Sequence, residues 1–271
     1  MKPDQKDDSF RNLHHQKGAL ILPNPWDIGT ARILASMGFQ ALATTSAGMA
    51  FGLGVPEGNI TREETLSHCK SIIGATPLPV SADLENGFGH TPRDVSSCIQ
   101  EAAKVGLAGG SIEDFTGDKD NPIYDFGLAV ERVTAAAEQK NNLDKDFVFT
   151  ARCENFLWGR PDLDDTIKRL QAYEAAGADV LYAPGLPNLE AIQTVCSSVS
   201  LPVNVVVGIG PVFNIAELEA AGVKRISLGS ALARYAFGAF VNAAQEMKQE
   251  QSFKFSADAI NFAELGNYFI K

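Results

Sequence analysis

Eight short apolar runs alternate with longer amphipathic segments along this chain, and that alternation limits the fold more than any other feature. The runs are Ala19–Pro23, Ala41–Ser46, Pro79–Leu84, Ala108–Asp114, Phe147–Glu154, Asp179–Pro184, Val203–Val207 and Arg225–Gly229. Small, β-branched and apolar residues fill them almost throughout, as expected of strands covered on both faces. Between them, helices are predicted from near Trp26, Arg62, Pro92, Gly127, Asp162, Asn188 and Asn214, with a last one from Ser230 to about Gln249.

The punctuation agrees with this reading. Met37-Gly38, Val105-Gly106, Ala176-Gly177 and Ala221-Gly222 each place a glycine where a helix ends shortly before the next strand. Glycine there supplies the left-handed residue that closes a helix. Asp162, Asn188 and Asn214 offer side-chain oxygens to cap helix starts. Eight βα units without a Pro-, Gly- or Ser-rich linker predict one (β/α)8 TIM barrel spanning the chain as a single domain. A doubly wound open sheet is the alternative, because strand count does not prove closure. Residues 250–271 read as an extension packing outside the barrel.

Composition narrows the partners. With 271 residues, 45% of them hydrophobic, a sizeable core can form. The net charge of −10 disfavours nucleic acid and anionic membrane surfaces, both of which need basic patches. The four cysteines include no CxxC pair and read as free thiols of a reducing cytosol. No apolar run approaches the roughly 18 residues of a membrane span, and Met1–Lys17 is polar, so a soluble cytoplasmic protein is expected.

In a barrel of this kind, chemistry gathers where strands end. The third strand runs into Ser81-Ala82-Asp83-Leu84-Glu85-Asn86-Gly87-Phe88-Gly89-His90, and the fourth ends in Glu113-Asp114. Asp83 and Glu85 are two apart, so an extended strand points them the same way. Carboxylates gathered from adjacent strand ends suit a hard divalent cation such as Mg2+, which keeps several waters and needs only one or two direct carboxylates. Glu57 lies on the same rim. The second strand ends in Thr44-Thr45-Ser46-Ala47-Gly48, either a tight turn of small residues or a set of amides approaching an oxyanion. Arg152 closes the fifth strand, either to grip a substrate carboxylate in a bidentate fork or to pair with Glu113 or Glu154. The polar loop Phe115–Pro122 reads as a lid or as exposed surface. Glycines at the seventh and eighth strand exits carry only a weak phosphate-site signal. His90 alone of the histidines lies near the acidic turn; His14, His15 and His68 read as surface.

With those positions in hand, the chain resembles the phosphoenolpyruvate mutase/isocitrate lyase superfamily. The resemblance runs from Leu22-Pro23-Asn24-Pro25-Trp26-Asp27 to the helix after Gly229. It implies substrate binding by Thr45, Ser46 and Ala47, and a metal shell of Glu57, Asp83, Glu85 and Glu113 with Asp83 as the direct Mg2+ ligand. Mn2+ is a possible substitute. Glu57 and Glu85 stand where aspartate is usual. Arg152 matches the arginine that grips a small α-oxo acid. The lyase loop Lys-Arg-Cys-Gly-His is replaced by Lys119-Asp120-Asn121-Pro122, so the acid/base cysteine is missing. Lys119 and Asn121 resemble the mutase loop instead, while Pro184 departs from both patterns. The resemblance further implies a final helix exchanged between subunits of a dimer or tetramer.

The leading expectation is therefore a Mg2+-dependent lyase acting beside an α-oxo acid through a stabilised enolate, as in oxaloacetate decarboxylase-like or 2-hydroxy-dicarboxylate lyase-like chemistry. The alternatives are P–C bond chemistry of the phosphonomutase or phosphonopyruvate hydrolase kind, a non-catalytic α-oxo acid binder, and a phosphate-binding barrel.

Overall fold

The computed structural model describes residues 10–269. Its eight strands form one parallel sheet: β1 (Leu20–Leu22), β2 (Leu42–Ala43), β3 (Val80–Asp83), β4 (Gly109–Glu113), β5 (Val148–Arg152), β6 (Val180–Tyr182), β7 (Val203–Val206) and β8 (Arg225–Ser227). The order β1-β8-β7-β6-β5-β4-β3-β2 brings the first and second strands to the two sides of one seam. Across it, the Ala43 amide donates to the Pro23 carbonyl at 3.0 Å. Asn24 then spans both neighbours of β1. Its Nδ2 donates to the Thr44 carbonyl at 2.9 Å, and its Oδ1 accepts from the amides of Leu228 (2.8 Å) and Gly229 (3.0 Å). The sheet is a nearly closed barrel, and the open-sheet alternative falls.

Helices cover the outside: α1 (Ile28–Ser36), α2 (Ser46–Leu53), α3 (Arg62–Ala75), α4 (Pro92–Lys104), α5 (Phe126–Asn141), α6 (Leu163–Ala175), α7 (Leu189–Ser198), α8 (Ile215–Ala220) and α9 (Ala231–Gln245). Their starts follow local chemistry. Asp162, Asn188 and Asn214 accept from backbone amides three residues on, and Thr61/Glu64 and Thr91/Asp94 form reciprocal capping boxes. The four helix-closing glycines all take left-handed φ values, 87° at Gly38 and 94° to 101° at the others. Helix α2 departs from expectation: the small residues read as a turn after β2 start a helix capped by Thr45.

Two apolar layers result. One fills the space between strands and helices and includes Leu42, Ile99, Phe149 and Leu181. The other lies inside the barrel near the strand starts, where Phe10 packs with Leu20, Leu22, Ala41, Val148 and Val180. The start of the chain therefore contributes to the core, although its composition reads as polar. Above this floor the interior turns polar. Buried Arg225 donates to Asn204 Oδ1 (2.8 Å) and Thr150 Oγ1 (3.0 Å). Burial lowers its pKa to about 10.

His14, expected at the surface, is buried beside Arg225. Its Nδ1 lies 2.9 Å from the Phe10 carbonyl, which only accepts, so Nδ1 carries the proton and Nε2 faces Arg225 Nη1 at 3.3 Å. His68 is half-buried, with Nε2 2.9 Å from the Trp26 carbonyl. All four cysteines are free, three of them buried. Among the described residues no helix is long and apolar enough to cross a membrane.

The C-terminal part differs from the sequence expectation. Helix α9 ends at Gln245 and passes into a π-helical turn, Glu246–Glu250. Only Ala233 of α9 is buried; Tyr235 is 82% and Phe240 69% exposed. Neither the 3-10 turn Lys254–Ala257 nor α10 (Phe262–Asn267) fully buries any residue.

Burial, then the charge of Arg225, lowers the His14 pKa from 6.5 to about 3. Unfolding therefore takes up a proton once the pH drops below about 6.5. His14 contributes its full stability above that pH and loses it as pH falls toward 3, at about 1.4 kcal/mol per pH unit. Urea midpoints from pH 7 to 4 should fall more steeply for the wild type than for His14→Gln; equal slopes would show that His14 is protonated in the folded state.

Candidate active site

The strand ends open into a cavity of about 1030 Å3, lined by Ser46, Glu57, Asp83, Glu85, Glu113, Lys119, Arg152 and Glu154 among others. Parallel strands place these groups together. Glu113 pairs in register with Arg152 on β4 and β5, and Asp83 with Ser111 on β3 and β4. Arg152 Nη1 lies 3.3 Å from Glu113 Oε2 and 3.8 Å from Asp83 Oδ1, while its Nε contacts Glu154 directly. The ion-pair account of Arg152 holds, and the residue also lines the cavity.

The acidic pair at the end of β4 divides its labour. Glu113 faces the cavity. Asp114 turns into the core, accepting from the Glu154 amide (2.7 Å), Tyr173 Oη (2.6 Å) and Arg169 Nη1 (3.2 Å). It ties β4, β5 and α6 together behind the site.

After β3 the backbone makes a tight turn, with positive φ at Glu85 (48°), Gly87 (82°) and Phe88 (58°). A Cβ on Gly87 would come within 3.3 Å of Val95 Cα, so glycine is required on two counts. Buried Arg132 on α5 fastens this turn. It donates to the Gly89 carbonyl at 2.8 Å and to that of Asn86, and its guanidinium lies 4.2 Å over the Tyr124 ring. His90 Nδ1 is 2.8 Å from Tyr124 Oη at the cavity edge. The Glu85 carbonyl accepts from the Glu113 amide at 2.9 Å, which locks the turn to β4.

The electrostatics are lopsided. Burial, then Asp83 and Glu57, pushes Glu85 up to about 7, with Arg152 opposing. Glu57 belongs to an exposed residue, but its carboxyl end turns inward to within 3.5 Å of Ser46 Oγ; burial of that end and repulsion from Asp83 raise it. Burial raises Glu113 well above the usual range, with Arg152 offsetting part and Glu154 and Asp83 adding to the rise. For Arg152 burial opposes the charge, and Glu154 and Glu113 more than restore it.

Among the described residues no three His, Cys, Asp or Glu side chains form a ready-made metal cage. Mg2+ does not require one, since it retains several waters around one or two carboxylates. The donors are all hard oxygens, and the charge of Glu57, Glu63, Asp83, Glu85, Glu113 and Glu154 exceeds that of Arg62, Lys119 and Arg152 around the same cavity. That donor set fits a hard divalent cation, with Asp83, Glu85, Glu113 and Glu57 as the residues that would hold it.

The three small residues after β2 are placed differently from one another. Ser46 reaches the cavity, and its Oγ donates to Asp83 Oδ2 at 2.8 Å. Thr45 Oγ1 accepts from the Gly48 amide as a helix cap, and Ala47 is buried. Lys119 lines the cavity from the loop. The Asn121 side chain does not line it; the Asn121 carbonyl accepts from Thr116 Oγ1 at 2.7 Å. That loop is a small hairpin, closed by the Phe115–Ile123 bridge. Sequence reasoning missed Trp158 and the cavity-facing role of Phe115. It weighed Glu154 only as an ion-pair partner. The apolar Phe156-Leu157-Trp158 run so close after Arg152 was the available signal.

A family model described as phosphoenolpyruvate phosphomutase matches residues 10–248. The 2-methylisocitrate lyase of Escherichia coli (strain K12) is 31% identical over 241 residues, covering 83% of this chain and 78% of that enzyme. The 2,3-dimethylmalate lyase of Eubacterium barkeri is 29% identical over 224 residues, covering 79% and 76%. Among solved structures, a Burkholderia cenocepacia J2315 protein whose lyase or mutase activity is itself only inferred superposes with a TM-score of 0.97. It is 51% identical, with 99% of this chain and 97% of that one covered.

Arg132→Met should cost roughly 2–4 kcal/mol, because two buried carbonyls lose charge-assisted donors. The denaturant midpoint measures the loss, and hydrogen exchange should speed up at amides 85–90 while those of β1 and β8 stay protected.

Proposed function

Because the chain belongs to the phosphoenolpyruvate mutase/isocitrate lyase superfamily and is an enzyme of the lyase or mutase kind, we propose that it is a Mg2+-dependent lyase acting on a C–C bond next to an α-oxo acid. The observation that carries this reading is the convergence of Asp83, Glu85, Glu113 and Glu57 with Arg152 at one barrel mouth. Mg2+, when bound by these carboxylates, supplies Lewis-acid stabilisation of the charge that develops on an enolate oxygen.

The chain's own groups do the rest. Arg152 presents a planar fork suited to a carboxylate, anchored on its far side by Glu154. Ser46 Oγ, hydrogen-bonded to Asp83, orients that carboxylate. The Phe115–Pro122 hairpin carries Lys119 to the cavity mouth, where its positive charge favours anionic substrate and the loop limits water. In a decarboxylation of the oxaloacetate kind, the C–C bonding pair passes into the enolate as CO2 leaves. Water then returns a proton to carbon, so no loop cysteine is needed.

P–C bond chemistry is the second reading, and Lys119 at the cavity supports it. Asn121, which is not among the residues lining the cavity, weighs against it. The exposed Tyr235, Phe240 and Val241 of α9 support a homo-oligomer, a dimer or tetramer in which this helix packs on a neighbouring subunit. The four free thiols fit a cytoplasmic location.

Oxaloacetate and phosphonopyruvate, each assayed with and without Mg2+, should separate the two chemistries, with turnover expected for the former. Activity on neither, together with tight oxalate binding, would leave a non-catalytic binder. Asp83→Ala should remove the metal-dependent rate, a loss on the order of 10^2–10^3 in kcat; unchanged Mg2+ dependence would show that the cation is held elsewhere. Arg152→Lys keeps the charge but loses the fork, so KM should rise about tenfold. An unaltered KM would remove Arg152 from substrate binding.

A further inference from the structure

The cavity floor is charged, but one wall is not. Phe115, two residues beyond Glu113, lays its ring flat against that of Trp158 from the loop after β5, with centroids 3.9 Å apart and planes 4° from parallel. Both line the cavity beside Leu157, which is 40% exposed. Each ring is held by a separate constraint. The Phe115 backbone pairs with Ile123 at the base of the hairpin, and Trp158 Nε1 donates to Glu154 Oε2 at 3.0 Å. Since Glu154 also holds Arg152, the wall is fixed relative to the guanidinium that faces the substrate head.

Apolar surface left facing water in a cavity is unfavourable until a ligand covers it. A three-carbon oxo acid displaces only a few waters' volume, on the order of 100 Å3 at about 30 Å3 each. Such a molecule, held at Arg152 and Ser46, would not fill the half-open cavity that Phe115, Leu157 and Trp158 also line. The geometry points to a substrate whose α-oxo acid head carries an apolar substituent of about aryl size, lying on Phe115, Leu157 and Trp158. This rests on the preceding assignment of the head to Arg152 and the carboxylates. It narrows the substrate class to acylpyruvate-like acids, R–CO–CH2–CO–COO−: water adds to the acyl carbon, the C–C bonding pair passes to the pyruvate enolate, which takes up a proton, and the apolar group leaves beyond the broken bond as R–COO−.

Calorimetry with oxamate and N-phenyloxamate, both in the presence of Mg2+, tests the wall without requiring turnover. The phenyl derivative should bind at least tenfold more tightly than oxamate. Phe115→Ala should reduce that gain to about twofold without changing oxamate binding. Leu157→Ala, at a side chain exposed enough not to threaten folding, should reduce it in part. Trp158→Phe, which keeps a ring but loses the bond to Glu154, should retain most of it. Oxamate binding with no gain from the phenyl group, or a gain that survives Phe115→Ala and Leu157→Ala, would overturn the wall alone. Binding of neither compound would overturn the α-oxo acid head and the wall together.

Discussion

Arg152 lies 3.3 Å from Glu113 and 3.8 Å from Asp83, and is in contact with Glu154, yet its one positive charge has to serve all the carboxylates turned toward the same cavity. In water such a cluster would be weakly felt. At a barrel mouth, partly removed from solvent, each added carboxylate raises the cost of ionising its neighbours. Glu57, Glu85 and Glu113 are all shifted upward, first by burial and then by repulsion from neighbouring carboxylates, with Arg152 opposing. A divalent cation, if bound as proposed, would relieve that repulsion.

The scaffold is arranged to hold that charge in place. Arg132 pins the left-handed turn carrying Glu85, Asp114 fastens the two strands that present Glu113 and Arg152, and Asn24 ties the barrel seam just below. These three residues are buried and need not meet a ligand. Buried polar groups are costly unless bonded; Arg132 and Asn24 bond backbone carbonyls and amides, and Asp114 bonds one amide and the side chains of Tyr173 and Arg169. Deeper in the barrel, Arg225 and His14 show the same economy with neutral partners. The barrel interior is thus a graded column, apolar at the Phe10 floor, polar in the middle and charged at the mouth.

Much of this was legible before the fold was known. Strand and helix order followed from apolar periodicity and from caps such as Asp162 and Asn214, because those signals are local. Asp83, Glu85, Glu113 and Arg152 stood out because charge at the end of an apolar strand has no packing reason to be there. Helix α2 did not stand out, since Ser46-Ala47-Gly48 reads equally as a turn or a first helical turn; Thr45 as a cap decides it. His14 and Phe10 were lost in a polar segment because their burial depends on partners more than 130 residues away, such as Val148 and Arg225.

By itself, then, the order of residues determined the eight βα units, their caps and which strand ends carry acid or base, all consequences of interactions within a few positions along the chain. Only the closed barrel decided that Glu113 faces the cavity while Asp114 faces the core, that Lys119 lines the cavity while Asn121 does not, and that Phe115 meets Trp158. Those outcomes depend on register between strands and on the direction each loop leaves its strand. Neither is written in any short stretch of sequence, because both are set by packing the whole cylinder at once.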